Sequence, residues 1–215
     1  MARTTPHRST DKTVAKNRTR LFLLLGGAVV AALVLAIFLN PRRSDTLAEH
    51  EAVTISGETL APFAGDPRND PALGLSAPQL SGFDFEGSTV TIPAEGRPKV
   101  ILFLAHWCPH CQNEVQSIVA YLRNNDFHGG ADLYSVATAS SATRPNWPPS
   151  AWLEREGWPF PVIVDDEQSS AFEAFGMGAF PFYVFVDANG TVVMRLSGEQ
   201  DPVRLAELMQ AFPSA

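Results

Sequence analysis

The sequence Trp107-Cys108-Pro109-His110-Cys111 directly follows an apolar run, Val100 to Ala105, and it contains both cysteines of the 215-residue chain. A continuous apolar run of this length favours a strand that is buried on both faces of a sheet. Proline suits the first turn of a helix, where its missing N–H is not needed. The stretch therefore predicts a strand that leads into a helix, with Cys108 at the helix N-terminus.

A thiol in this position is favoured as the thiolate, because unpaired backbone N–H groups and the helix dipole face it. Cys108 is the predicted nucleophile, since it lies at the helix start. Cys111, one turn further in, is the predicted resolving thiol that releases a mixed disulfide. The pair thus predicts thiol–disulfide exchange, with Cys108 and Cys111 as catalytic residues that form a redox-active disulfide. We expect no cofactor and no metal.

Residues beside the two cysteines are predicted to support them, Trp107 and Pro109 among them. A histidine at position 110 can stabilise the Cys108 thiolate together with the helix dipole, which makes a disulfide more oxidising. The alternative is a solvent-facing His110 without effect. Glu114 follows Cys111 by three residues and lies on the same helix face, as a proton-exchanging group or as a solvated carboxylate. His106 is predicted to be a surface or supporting residue.

A second candidate part of the site is Phe180-Pro181, which precedes the apolar run Phe182 to Val186. A proline at this point can simply start a strand. With a cysteine pair upstream, we favour a cis-proline loop packed against the thiols. A cis X–Pro bond turns the chain sharply and leaves the backbone of Phe180 able to pair with a substrate peptide.

Charge is distributed unevenly along the chain. Residues 1–20 carry six basic residues against one acid, whereas the chain after Arg43 carries eight Lys and Arg against 22 Asp and Glu, a net charge of −14. A domain this acidic argues against nucleic acid as a partner. The basic start is predicted to be a cytoplasmic tail that sets membrane orientation.

Residues 21–39 contain no charged side chain. A helix of this length approaches the roughly 30 Å thickness of the hydrocarbon core. The alternatives are a buried core helix and a cleaved signal peptide, whose apolar region usually spans about 7–15 residues. We favour an uncleaved signal anchor in the lipid bilayer, with the N-terminus cytoplasmic and the catalytic domain extracytoplasmic. A lone cysteine pair suits redox catalysis there.

The remainder of the chain divides at about residue 74. Residues 40–73 are rich in Pro, Gly, Asp and Ala, which predicts an extracytoplasmic tether with a short ordered stretch at residues 53–55. Residues 74–215 alternate strand and helix patterns, which predicts an α/β domain. Its signals include a hairpin turn at Asn189-Gly190 and a last helix that begins at Asp201-Pro202 and buries Val203 and Leu205.

Several motifs between Gly74 and Phe212 resemble the thioredoxin-like superfamily and, within it, the membrane-anchored TlpA-like thiol–disulfide oxidoreductases. The motifs are Ala77-Pro78, Phe103 to Cys108, Cys111-Gln112-Asn113-Glu114, Phe160-Pro161-Val162, and Phe180-Pro181 before Asp187-Ala188-Asn189-Gly190. The resemblance implies a central mixed sheet with an N-terminal hairpin and flanking helices. It also implies Cys108 and Cys111 as the redox pair, Pro181 as the cis-proline, and Glu114 as the active-site acid.

Two residues depart from the family pattern. His110 stands where TlpA-like proteins usually have proline, and the Cys-Pro-His-Cys order is similar to that of periplasmic oxidants of the DsbA type. Leu102 stands where many thioredoxins carry a buried aspartate. The direction of electron flow is therefore left open. The predicted partners are protein thiol or disulfide substrates and a membrane electron-transfer protein, either a reductant donor or a quinone-linked oxidase.

Two other functions use the same residues. A peroxiredoxin needs a threonine in a Pro-x-x-x-Thr-x-x-Cys setting, and residues 100–107 contain none. A copper or zinc carrier would bind metal through Cys108, Cys111 and His106 or His110. Zinc sites favour two separated ligand pairs, and no further cysteine exists to complete one.

Overall fold

The computed structural model describes residues 48–127 and 130–212. The predicted basic tail, residues 1–20, and the predicted signal anchor, residues 21–39, lie outside the described residues. Within the two described ranges, no helix combines the length and the apolar character needed to cross a membrane.

The described residues form eight strands and four helices. The strands are β1 (Thr54–Ser56), β2 (Gln79–Phe83), β3 (Thr89–Ile92), β4 (Lys99–Leu104), β5 (Asp132–Ala137), β6 (Val162–Val164), β7 (Phe182–Val186) and β8 (Val192–Ser197). The helices are α1 (Pro109–Leu122), α2 (Pro149–Glu156), α3 (Ser170–Ala174) and α4 (Pro202–Gln210). The predicted α/β class is confirmed, as is the passage from strand to helix at the cysteine pair.

Strand β4 occupies the centre of a five-stranded sheet with the order β6-β5-β4-β7-β8. It pairs in parallel with β5 and antiparallel with β7, so the sheet is mixed. Every residue of β4 is buried, and successive side chains point to opposite faces. Leu102 and Leu104 lie in the core that includes the apolar side of α1. Ile101 and Phe103 lie in a second core on the other face, which includes Phe172 of α3.

A separate three-stranded sheet contains the predicted hairpin of β2 and β3, with β1 as its third, antiparallel strand. Strand β1 includes part of the ordered stretch that was predicted within residues 40–73. The order extends further than that prediction, since Leu60 and Ala72 are buried in the same core as Phe103. From residue 48 onward, this segment is a packed part of the domain rather than a tether, and the domain begins before the predicted boundary at residue 74.

A buried ion pair ties this segment to β8. The side chains of Asp70 and Arg195 are fully buried, and Arg195 Nε donates to Asp70 Oδ2 at 2.7 Å while Nη2 donates to Oδ1. Burial disfavours the charged carboxylate, but hydrogen bonds from Arg195 and the Ala72 N–H outweigh it, so the pKa of Asp70 lies below its ordinary value. Arg195 Nη1 also donates to the carbonyl oxygens of Ala61 and Phe175, at 2.9 Å each.

Helix α4 begins where the sequence predicts. The Asp201 carboxylate accepts hydrogen bonds from the backbone N–H groups of Val203 and Arg204, and Pro202 takes the first helical position. Leu205 is buried as predicted, but Val203 is 52 % exposed. The prediction for Val203 is wrong because it lies two residues, or about 200° of helix rotation, from Leu205.

The buried ion pair generates a prediction about stability. Replacement Asp70→Ala leaves the Arg195 guanidinium buried without a carboxylate, and we expect it to lower the free energy of unfolding by about 3–5 kcal/mol. Urea denaturation at neutral pH measures this loss. The matched control is Glu207→Ala, which removes the solvent-exposed pair with Arg204 and should cost less than about 1 kcal/mol. Equal, small losses in both variants would contradict the role of Asp70.

Candidate active site

Cys108 lies at the point where β4 gives way to α1. Its backbone is extended, with φ −78° and ψ 120°, and it is the N-cap residue of the helix, with Pro109 directly after it. The Cys108 N–H donates to the carbonyl oxygen of Ala105 at 3.0 Å, and the Cys108 carbonyl oxygen accepts from the Gln112 N–H at 3.1 Å. These bonds form the sharp turn into the helix and leave Cys108 7 % exposed.

Cys111 lies one helical turn deeper and is 0 % exposed. Both cysteines are free thiols. The backbone N–H of Ala105 donates to the sulfur of Cys111 at 3.4 Å. Burial raises the pKa of Cys111 well above its ordinary value, and the nearby Cys108 and Glu114 raise it further. Cys111 is therefore a neutral thiol at physiological pH, and it needs a base before it can act as a nucleophile.

Glu114 is 1 % exposed, so the alternative of a solvated helix carboxylate is wrong. The Tyr183 hydroxyl donates to its Oε1, and the Gln200 N–H contacts Oε1 at 3.1 Å and Oε2 at 3.0 Å. Burial raises the pKa of Glu114 to about 7, although the hydrogen bonds from Tyr183 and Gln200 oppose the shift. The carboxyl group can thus gain or lose a proton near neutral pH.

Sequence reasoning missed both partners of Glu114. Tyr183 is fully buried on β7, directly opposite Leu102 of β4. Burial raises the pKa of Tyr183 well above its ordinary value, and the carboxyl of Glu114 adds to the shift, so the hydroxyl remains a proton donor. A tyrosine in an otherwise apolar buried strand needs a partner for its hydroxyl, and that signal was available. Gln200 contacts Glu114 through its backbone N–H. A backbone contact of this kind leaves no pattern of side chains in the sequence.

The loop before β7 faces the cysteine pair. The Phe180–Pro181 peptide bond is cis, as the sequence predicts. The carbonyl oxygen of Phe180 lies 4.0 Å from the sulfur of Cys108. The Phe180 ring meets the Trp107 ring edge-on at a centroid distance of 6.1 Å, and it stacks on Phe172 at 4.6 Å. The structure therefore brings Trp107, Phe180 and Pro181 together beside Cys108.

Trp107 and His106 hold the loop that follows β5 against the site. Trp107 Nε1 donates to the carbonyl oxygen of Ala139 at 2.8 Å. His106 is 1 % exposed, so a surface position is wrong for it. Its Nε2 accepts from the Ser141 N–H at 3.1 Å, and its Nδ1 lies 2.7 Å from the carbonyl oxygen of Pro145. This pairing requires a neutral ring with the proton on Nδ1, in agreement with burial lowering the pKa of His106.

His110 is exposed and belongs to a separate polar cluster. Its Nδ1 lies 2.5 Å from Oε1 of Glu199, in the connection between β8 and α4. Asn113 Nδ2 donates to the same oxygen at 3.3 Å. His110 is therefore paired with a carboxylate, and its effect on Cys108 stays a prediction. Sequence reasoning missed Glu199, which lies 89 residues from His110 along the chain.

His106 and His110 make polar contacts with other protein groups, and these contacts bear on whether the two residues can bind a metal ion. Both ring nitrogens of His106 are engaged by backbone groups, and Nδ1 of His110 is paired with Glu199. Throughout residues 48–127 and 130–212, no group of three or more His, Cys, Asp or Glu side chains is arranged to hold a metal ion. The described site offers two thiols and one buried carboxyl group.

Comparisons with known proteins agree with this geometry. Residues 72–210 match the family model for Redoxin. The chain belongs to the redoxin family. A similar protein is the thiol-disulfide oxidoreductase ResA of Geobacillus thermodenitrificans. It is 25 % identical to this chain over 133 residues, which cover 59 % of this chain and 70 % of ResA.

Solved structures share the redoxin fold. The thioredoxin domain of a thiol-disulfide oxidoreductase from Bacteroides vulgatus superposes with a TM-score of 0.51 at 20 % identity, over 64 % of this chain and 96 % of that one. StoA from Bacillus subtilis superposes with a TM-score of 0.50 at 17 % identity, over 64 % and 98 %. The predicted class, a thioredoxin-like thiol–disulfide oxidoreductase of the TlpA type, is confirmed.

The buried carboxyl generates a pH prediction. The pKa of Glu114 rises from an ordinary 4.5 to about 7 in the folded state, so folding favours its protonated form. That contribution is fully present below about pH 4.5 and is lost as the pH rises through about 7. We expect the free energy of unfolding of the wild type to fall by roughly 3 kcal/mol over this range relative to Glu114→Gln. Urea denaturation in a pH series measures the difference, and a constant difference would contradict the raised pKa.

Proposed function

We propose that this redoxin is a membrane-anchored, extracytoplasmic thiol–disulfide oxidoreductase that exchanges disulfides with protein substrates through Cys108 and Cys111. The observation that carries the proposal is the asymmetry of the two thiols. Cys108 retains 7 % exposure at a helix N-terminus, whereas Cys111 is 0 % exposed. Cys111 lies on the same helix as Glu114, whose pKa is raised to about 7. This arrangement lets the two sulfurs react in sequence.

In the first step, Cys108 is the nucleophile. Its thiolate attacks one sulfur of a substrate disulfide, a bond forms between Cys108 and that sulfur, and the substrate S–S bond breaks. The departing substrate sulfur leaves as a thiolate and takes up a proton. Cys108 takes this role because it is the N-cap residue at the start of α1 and retains some exposure. Cys111 cannot take this role, since it is 0 % exposed.

In the second step, Cys111 resolves the mixed disulfide. Glu114 accepts the proton of the Cys111 thiol, and the resulting thiolate attacks the sulfur of Cys108. The Cys108–Cys111 bond forms, the bond to the substrate breaks, and the substrate sulfur leaves with a proton returned from Glu114. Two electrons thereby pass from the pair to the substrate, and the reverse sequence oxidises a substrate dithiol. A group with a pKa near the working pH is suited to this proton exchange.

The cis-proline loop provides a place for the substrate chain. The Phe180 carbonyl oxygen lies 4.0 Å from the Cys108 sulfur, so an extended peptide paired with this backbone would bring its own sulfur to Cys108. The ring of Phe180 and the half-buried ring of Trp107 form an apolar wall at the same place. Pro181 directs the loop toward the thiols, and Pro109 starts the helix that carries them.

The N-terminal sequence supports placement at the membrane. Residues 21–39 act as the signal anchor, residues 1–20 as a cytoplasmic basic tail, and the tether consists of the residues between the anchor and residue 48. The acidic catalytic domain then lies outside the cytoplasm, where disulfides persist. A membrane protein exchanges two electrons with the pair, as a reductant donor or as a quinone-linked oxidase. No cofactor is needed for these steps.

The exchange mechanism is tested with paired cysteine variants. In the insulin reduction assay with dithiothreitol, Cys108→Ser is expected to lower the rate at least about 100-fold, because the nucleophile is lost. Cys111→Ser retains the nucleophile and, when mixed with insulin in the absence of dithiothreitol, should accumulate a mixed disulfide that is detected by mass spectrometry under non-reducing conditions. Glu207→Gln, an exposed change on α4, serves as the control with unchanged rate. Wild-type activity in Cys108→Ser would sink the proposal.

Anchoring is tested by fractionation. The full chain is expected to stay with membranes after alkaline carbonate extraction, whereas a chain without residues 21–39 should be recovered in the soluble fraction. Recovery of the full chain in the soluble fraction would refute the proposed anchor and leave the thiol chemistry untouched.

A further inference from the structure

The carboxylate of Glu199 lies beside the first turn of α1 and contacts two side chains of that turn. His110 Nδ1 is 2.5 Å from Glu199 Oε1, and Asn113 Nδ2 donates to the same oxygen at 3.3 Å. The two donors are three residues apart and therefore share one face of the helix. Glu199 thus contacts two side chains of α1, the helix that has Cys108 as its N-cap residue.

Glu199 carries its negative charge throughout the neutral pH range. Hydrogen bonds from His110 and then Asn113 lower the pKa of Glu199 below its ordinary value. A protonated His110 therefore always has a carboxylate in contact with its ring. The positive charge of an imidazolium and the negative charge of a carboxylate at this distance largely cancel for a third group.

The same connection also reaches the buried part of the site. Gln200, the next residue, donates its backbone N–H to both oxygens of Glu114. Its side chain Nε2 donates to the carbonyl oxygen of Gly198 at 3.0 Å, which braces the connection. The position of Glu199 is therefore fixed by its neighbour as well as by its own contacts with α1.

This geometry bears on the reduction potential of the cysteine pair. A histidine between two cysteines makes a disulfide more oxidising when its positive charge stabilises the nucleophilic thiolate, because the reduced form gains stability. In this protein Nδ1 of the His110 ring is paired with the Glu199 carboxylate. The Cys-Pro-His-Cys order is then compatible with a pair more reducing than the motif alone would indicate.

We infer that Glu199 is a positioning residue for the exchange reaction, which holds His110 and offsets its charge so that the Cys108–Cys111 pair is more reducing. The inference rests on the proposed function of the two cysteines. It favours a protein that donates electrons to substrate disulfides and receives them from a membrane reductant donor.

The test is the redox equilibrium of the full chain, purified in detergent, with glutathione at about pH 6. In this reaction two glutathione thiols reduce the Cys108–Cys111 disulfide to two thiols and become one glutathione disulfide. We expect Glu199→Gln to shift the equilibrium toward the dithiol roughly threefold, which is about 14 mV at about 30 mV per tenfold change. Glu207→Gln, an exposed carboxylate change on α4, is the matched control and should cause no shift.

A double-mutant cycle shows whether the effect passes through His110. The shift caused by Glu199→Gln should fall to less than half when His110→Gln is already present, since no imidazole charge is left to release. A shift of equal size in both backgrounds, or no shift at all in Glu199→Gln, would overturn the inference while leaving the proposed function standing. A wild-type chain with no reversible two-electron couple would overturn the proposed function and this inference together.

Discussion

The carboxyl group of Glu114 is buried between α1 and β7, and the chemistry of the site depends on how that burial is satisfied. A buried carboxyl without hydrogen-bond partners is costly. Here the Tyr183 hydroxyl and the Gln200 N–H occupy its oxygens, and its pKa stays near 7. Cys111 is buried as well, and the charge of Glu114 adds to the raised pKa of its thiol. In the proposed mechanism, the proton that leaves the thiol passes to this carboxyl group.

Three segments that are distant in sequence meet to create this environment. Helix α1 carries the cysteine pair and Glu114, and β7 contributes Tyr183 two residues after the cis-proline. The connection from β8 to α4 contributes Gln200 to the buried carboxyl and Glu199 to the exposed His110. Strand β8 is itself anchored by the buried guanidinium of Arg195, which also binds the end of α3. The packed N-terminal segment thus supports the same part of the fold that supports the site.

Local signals in the sequence predict much of this architecture. The apolar run before Cys108, the Asn189-Gly190 turn and the cap at Asp201 each depend on a few neighbouring residues, and each element forms where it is predicted. Apart from the short stretch at residues 53–55, order in residues 48–73 could not be predicted, because Asp70 pairs with Arg195 at a separation of 125 residues. A segment rich in Pro and Gly has the same composition whether it is a free tether or an irregular packed strand. Helical spacing likewise places Glu114 beside Cys111 but does not distinguish a buried face from a solvated one.

The proposed role of Glu114 is tested most directly by titration of its carboxyl group in the reduced protein. Its carbon-13 chemical shift can be followed by NMR, with the signal identified by its loss in Glu114→Gln. We expect a midpoint near pH 7. A midpoint near the ordinary value of 4.5 would contradict this role, because the carboxyl would then be ionised throughout the neutral range and poorly able to take the proton of Cys111.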